Sequence, residues 1–197
     1  MKNIKTISAA LLIGSIAFSG SSMAGDASAE ALSYTCAGCH GVNGASMGPA
    51  IPSIAGMSSA YIIESMKAYK EGEREASIMT RIAKGYDDDD FGKMGKFFAA
   101  QPRHVADQPV GKMAKKGADI HDDYCEKCHA DLGTDADDDS GFLAGQWTPY
   151  LRYSLEDVLD GTRDTGKKML KKLKQAHKKE GGEKAIQALL DFYASQK

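Results

Sequence analysis

Two pentapeptides hold all four cysteines of the chain: Cys36-Ala37-Gly38-Cys39-His40 and Cys125-Glu126-Lys127-Cys128-His129. Each sets two thiols one helical turn apart and places an imidazole directly behind the second. Three chemistries use such a set. It can be a redox-active dithiol, half of a tetrahedral metal centre, or an attachment point where both sulfurs bond a prosthetic group and the imidazole ligates its metal. A framework of two disulfides is also open to an exported chain, but four cysteines confined to two copies of one motif argue against it.

The motifs sit in a repeated frame. An offset of 89 residues superimposes them, and the same offset aligns Ile54-Ala55-Gly56 with Leu143-Ala144-Gly145, Tyr61 with Tyr150, Gly72 with Gly161 and Arg74 with Arg163. Phe97-Phe98-Ala99-Ala100-Gln101 matches Phe192-Tyr193-Ala194-Ser195-Gln196 at an offset of 95, so the second copy carries net insertions. One register held across separated patches marks an internal duplication. The expected fold is all-α, with two tandem domains over residues 25–101 and 113–197. Residues 102–112, with Pro102, Pro109 and Gly111, form the expected linker. Helices are expected over Ala27–Tyr34 and Met113–Tyr124, leading into the motifs, over Ala60–Tyr69 and Pro149–Leu159, and over Lys93–Ala100 and Glu183–Ser195. In the last, Ile186, Leu189, Leu190 and Tyr193 recur at helical spacing.

Residues 1–24 read as a secretory leader: Lys2 and Lys5, an apolar run from Ile7 to Phe18, then Ser22-Met23-Ala24 before the expected cleavage. The apolar run is shorter than the ~20 residues that span a bilayer. Removing the leader takes away two lysines and no acids, leaving 23 basic against 27 acidic residues and a net charge of −4. That balance argues against nucleic-acid binding. The expected location is the periplasm.

These features select among the three chemistries. A thioredoxin-like dithiol needs a strand-rich α/β context, which the sequence lacks. A zinc site needs four ligands together, whereas these pairs belong to separate repeats. Small repeats also bury little apolar surface and need a staple. Covalent haem meets every condition: Cys36, Cys39, Cys125 and Cys128 bond two haems c, with His40 and His129 as proximal iron ligands.

Both halves then resemble class I cytochromes c. That family has a Pro-x-Leu-x-Gly stretch whose proline carbonyl accepts a hydrogen bond from the proximal histidine, and Pro52-Ser53-Ile54-Ala55-Gly56 matches it. The second half departs, with Gly141 in the proline position. Its carbonyl can still accept, but a less rigid loop is expected.

The sixth iron ligand of an electron-carrier haem is usually a methionine sulfur. After Cys125 only Met169 remains, and Met79 is the one first-half methionine with a methionine partner within one residue in the repeat alignment. Met79 also precedes Arg81-Ile82-Ala83-Lys84-Gly85-Tyr86, which looks like the family's post-ligand segment. Met57, Met66 and Met94 are expected core fillers. His177 is the rival ligand for the second iron, while His104 and His121 are expected to be structural or exposed. Methionine on both irons implies outer-sphere electron transfer. An open iron would imply a haem catalyst instead.

Charge clusters at Asp87–Asp90 and Asp135–Asp139, and lysines at 167, 168, 171, 172, 174, 178 and 179 surround Met169. They are either solvated surface or a steering ring for an acidic partner. The wider chain resembles the cytochrome subunits of flavocytochrome c sulfide dehydrogenases, through Gly48–Gly56, Arg81–Tyr86, Tyr124–His129, Leu143–Leu151 and Asp191–Gln196. The four-aspartate run is a departure from them. That resemblance implies an FAD-bearing sulfide dehydrogenase subunit as electron donor and a downstream cytochrome as acceptor. The chain has no Gly-x-Gly-x-x-Gly fingerprint, so the flavin belongs elsewhere, and the chain is not expected to be an enzyme on its own. The alternative is a freely diffusing two-haem carrier feeding a terminal oxidase.

Overall fold

The computed structural model describes residues 26–136 and 140–197; the expected leader lies outside them, as does part of the second acidic cluster. The described residues form helices and no named strand. The first half runs α1 (Ala29–Tyr34), α2 (Ala37–His40), α3 (Ser59–Glu71), α4 (Met79–Ile82) and α5 (Asp88–Ala99). The second runs α6 (Ala114–Tyr124), α7 (Ala130–Gly133), α8 (Thr148–Asp160), α9 (Gly166–Lys179) and α10 (Glu183–Ser195). No helix among the described residues is long and apolar enough to cross a membrane.

The repeat is a repeat of backbone structure. Helices α3 and α8 are both 13 residues long and both end on a left-handed glycine, Gly72 (φ 80°) or Gly161 (φ 89°). The carbonyl of Gly44 accepts from the Ile54 and Ala55 amides, and that of Gly133 from Leu143 and Ala144. Gly56 donates to Phe98 and Gly145 to Tyr193, tying the loop after each motif to the terminal helix of its half.

In each half the helix leading into the motif crosses the terminal one, α1 on α5 and α6 on α10. Gly117 shows how close the second crossing is: a Cβ there would lie 1.9 Å from the Ala188 carbonyl oxygen. Helix α5 starts five residues before the expected Lys93 because the aspartate run caps it. The Asp87 carboxylate accepts from the Asp90 amide (2.9 Å) and the Asp90 carboxylate from the Asp87 amide (3.2 Å). Acids in the first turn also suit the helix dipole.

The halves meet through equivalent positions. Arg74 and Arg163 form an antiparallel bridge with each other, as a two-fold relation requires. Arg163 donates to the Tyr61 hydroxyl, and Arg74 lies in the field of the equivalent Tyr150. Phe142 of the second half is buried in the first half's core with Met57, Ile62 and Phe91. The Trp147 indole donates to the Ser46 carbonyl at 3.0 Å and lies so close over Gly48 that a Cβ there would come within 2.7 Å of the ring. Residues 101–113 carry no helix; the Ala106 amide donates to Gly145 and the Gln108 side chain to Gln146, so the segment is laid on the second half.

Candidate haem sites

The turn that presents each motif is built by its own backbone. The Cys36 carbonyl accepts from the Cys39 and His40 amides (3.2 and 2.9 Å), and the Cys125 carbonyl from Cys128 and His129 (3.0 Å each). No cysteine is bridged. Cys36 and Cys125 are half-buried, Cys39 and Cys128 exposed. Burial pushes the Cys36 thiol up, and that of Cys125 up to about 11, so neither is the thiolate a redox dithiol requires. Among the described residues no three His, Cys, Asp or Glu side chains gather to hold a bare metal ion.

The histidines are set as ligands. His40 Nδ1 lies 2.9 Å from the Pro52 carbonyl oxygen, which can only accept, so Nδ1 carries the proton and Nε2 keeps its lone pair. Burial holds His40 below the ordinary histidine range against the opposing pull of that bond. Burial, helped by His121, holds His129 down at about 4. Both rings are therefore neutral, the form that binds iron. Here the halves part: His129 Nδ1 is buried with no hydrogen-bond partner among the described residues. The carbonyl expected to replace that of Pro52 does not reach it.

Apolar side chains stand exposed beside these residues: Val42 and Leu132 just after the motifs, and Ile78 and Ile82 flanking Met79. Left bare in water they carry a cost, and a flat macrocycle held by the neighbouring sulfurs and imidazole would cover them. The residues present fit haem.

Met79 opens α4 and packs on the first core with Cys36, Ile54 and Ala83. The segment after it returns to the motif, where the Tyr86 and Thr35 hydroxyls meet at 2.8 Å, next to Cys36. Met169 sits in α9 and packs on the second core, the core against which Cys125 and Leu143 also pack. Met57, Met66 and Met94 are buried core residues. The rival His177 is partly exposed and lies 3.5 Å from Glu183 on the surface. Of the lysines around Met169, the exposed Lys172 reaches across to α6, toward the Asp123 carbonyl and over the Tyr124 ring.

Two residues carry more than their sequence signal. His121 is buried, with Nδ1 at 2.9 Å from the Tyr193 hydroxyl and Nε2 at 2.5 Å from Glu126. It braces α6 against α10 directly behind Cys125. Gln146, fully buried, crosses between the halves to the Ser53 backbone.

A cytochrome c family profile matches residues 24–111. Cytochrome c4 of Pseudomonas aeruginosa is 33% identical over 150 residues, covering 71% of this chain and 74% of that protein. The cytochrome subunit of sulfide dehydrogenase from Chlorobaculum tepidum is 42% identical, but over 69 residues, 35% of this chain and 62% of that subunit. The crystal structure of reduced cytochrome c4 from Pseudomonas stutzeri superimposes with a TM-score of 0.72 at 26% identity, over 87% of this chain and all of that one. The chain thus belongs to the cytochrome c family, as a two-haem, cytochrome c4-like electron-transfer protein that carries covalently bound haem c and is not an enzyme by itself.

Proposed function

We propose that the chain is an exported periplasmic relay passing single electrons between two protein partners through two haems in series. Cys36, Cys39, His40 and Met79 hold one haem in a domain over residues 25–101. Cys125, Cys128, His129 and Met169 hold the other in a domain over residues 113–197, with 102–112 as linker and the leader cleaved near Ala24. Each haem supplies an iron that cycles between two oxidation states. A donor loses one electron to the chain and an acceptor gains one from it, with no atom transferred. The observation that carries this reading is the interface of equivalent residues, which packs the two halves directly against each other. Sulfur ligands on both irons would leave no position for substrate.

For the partners, a freely diffusing carrier is favoured by the extent of the match to cytochrome c4. A second reading makes the chain the haem subunit beside an FAD-bearing sulfide dehydrogenase subunit, with a downstream cytochrome as acceptor. The higher identity of the shorter match to the sulfide dehydrogenase cytochrome subunit supports it. A permanent complex buries an extensive interface and survives salt, whereas a carrier docks by charge and dissociates. Size-exclusion chromatography of native extract at two salt concentrations, followed by haem and flavin absorbance, separates them. Haem eluting at monomer size without flavin at both salts supports the carrier; haem coeluting with flavin at both supports the complex.

A further inference from the structure

The carbonyl that holds His40 belongs to a peptide group gripped from the other half of the molecule. The Pro52 carbonyl and the Ser53 amide are two ends of one peptide unit. His40 Nδ1 donates to the carbonyl end at 2.9 Å, and the amide end donates to Gln146 Oε1 at 2.8 Å. Gln146 Nε2 donates in turn to the next carbonyl, that of Ser53, at 2.9 Å. Both Gln146 and Ser53 are buried, at 0% and 1% exposure, so water cannot substitute for either bond. Gln146 is itself anchored: its carbonyl accepts from Gln108 at 2.7 Å and its amide donates to Leu143 at 3.2 Å.

We propose that Gln146 is a positioning residue for the first haem, acting across the interface through the Pro52–Ser53 peptide on the orientation and basicity of the His40 imidazole. Hydrogen bonds at opposite ends of one peptide polarise each other, so the Gln146 contact makes the Pro52 oxygen a better acceptor. A stronger acceptor at Nδ1 makes the imidazole a stronger donor to iron, which favours the oxidised metal. The equivalent of Gln146 in the first half is Met57. It reaches the equivalent loop, at Gly141, but a thioether on a glycine grips no peptide, and His129 Nδ1 has no partner there. One two-fold contact thus holds one site and leaves the other ungripped.

The inference rests on haem attachment at Cys36 and Cys39, and the test separates the two. Two-haem protein is prepared as wild type, Gln146→Met and Trp147→Phe, with Gln146→Leu as a second variant should the first not fold. Two quantities are read: solvent exchange of the His40 ring N–H by NMR in the reduced protein, and the potential of each haem by redox titration. Removing Gln146 should speed exchange by about tenfold or more and raise the reduction equilibrium constant of the first haem about threefold, leaving the second unchanged. Trp147→Phe, which loses an interface bond but leaves the clamp, should change neither. Unchanged exchange and potentials in the Gln146 variants overturn the proposal alone, as does the same shift from Trp147→Phe. Wild-type protein with no haem at Cys36 and Cys39 overturns the site reading and the proposal with it.

Discussion

Met57 occupies the space any side chain on Gly141 would need: a Cβ built there would come within 2.8 Å of the Met57 sulfur and 3.0 Å of the Tyr61 ring. The departure from proline in the second half thus has a steric cause, because the other half is packed into the place of the ring. Gly141→Ala is expected to cost about 1–3 kcal/mol through overpacking. The cost should shrink in a Met57→Ala background, which empties the colliding position. A double-mutant cycle from denaturant unfolding checks this, and additive effects would contradict the contact.

Attachment through thioether bonds survives unfolding. Acid-extracted, denatured protein should keep its haem, and Cys125→Ala with Cys128→Ala should leave one haem per chain. Two haems remaining in that variant, counted by pyridine haemochrome absorbance, would sink the second site.

Met79→Ala and Met169→Ala should each remove about half of the methionine-to-ferric-iron absorption, lower one reduction potential and open one iron to carbon monoxide. A spectrum unmoved by Met169→Ala but altered by His177→Ala would give the second iron to histidine.

The hydrogen bond from His121 holds the Glu126 carboxylate below its ordinary range, with burial opposing. A carboxyl whose folded value is depressed stabilises the fold above its unfolded value, about 4.3, and loses that contribution as pH falls through the folded value. Glu126→Gln should therefore flatten the dependence of stability on pH on the acid side, below about pH 5. Thermal unfolding of both proteins from pH 3 to 8 tests this. Tyr193→Phe, which leaves His121 Nδ1 buried without a partner, should cost about 1–3 kcal/mol across the whole range.

Much of this was legible in the residues. The 89-residue register anticipated the helix pairs and set Gly72 opposite Gly161, and the structure shows why: both are left-handed helix caps, a backbone requirement that leaves a fixed mark on sequence. The Asp87–Asp90 run was visible but read only as charge; its spacing, a capping acid three residues before another, was the missed signal. Gln146, Phe142 and His121 were not legible. Periodicity reports which face of a helix is buried, not what buries it: Gln146 bonds Ser53 and His121 bonds Tyr193, 93 and 72 positions away, and Phe142 enters the core of the other half. The repeat alignment set Gln146 opposite Met57, but it could not reveal that each reaches into the other half.

An ancestral single-domain protein pairing through this same face would have been a symmetric dimer, in which every substitution changes both sites at once. Fusion of the two copies into one polypeptide lifts that obligation. Positions 57 and 146 now mutate independently, and each touches a loop of the half opposite its own. Natural selection can therefore separate the two haems energetically, and give electron flow a direction, without altering a single residue that touches iron.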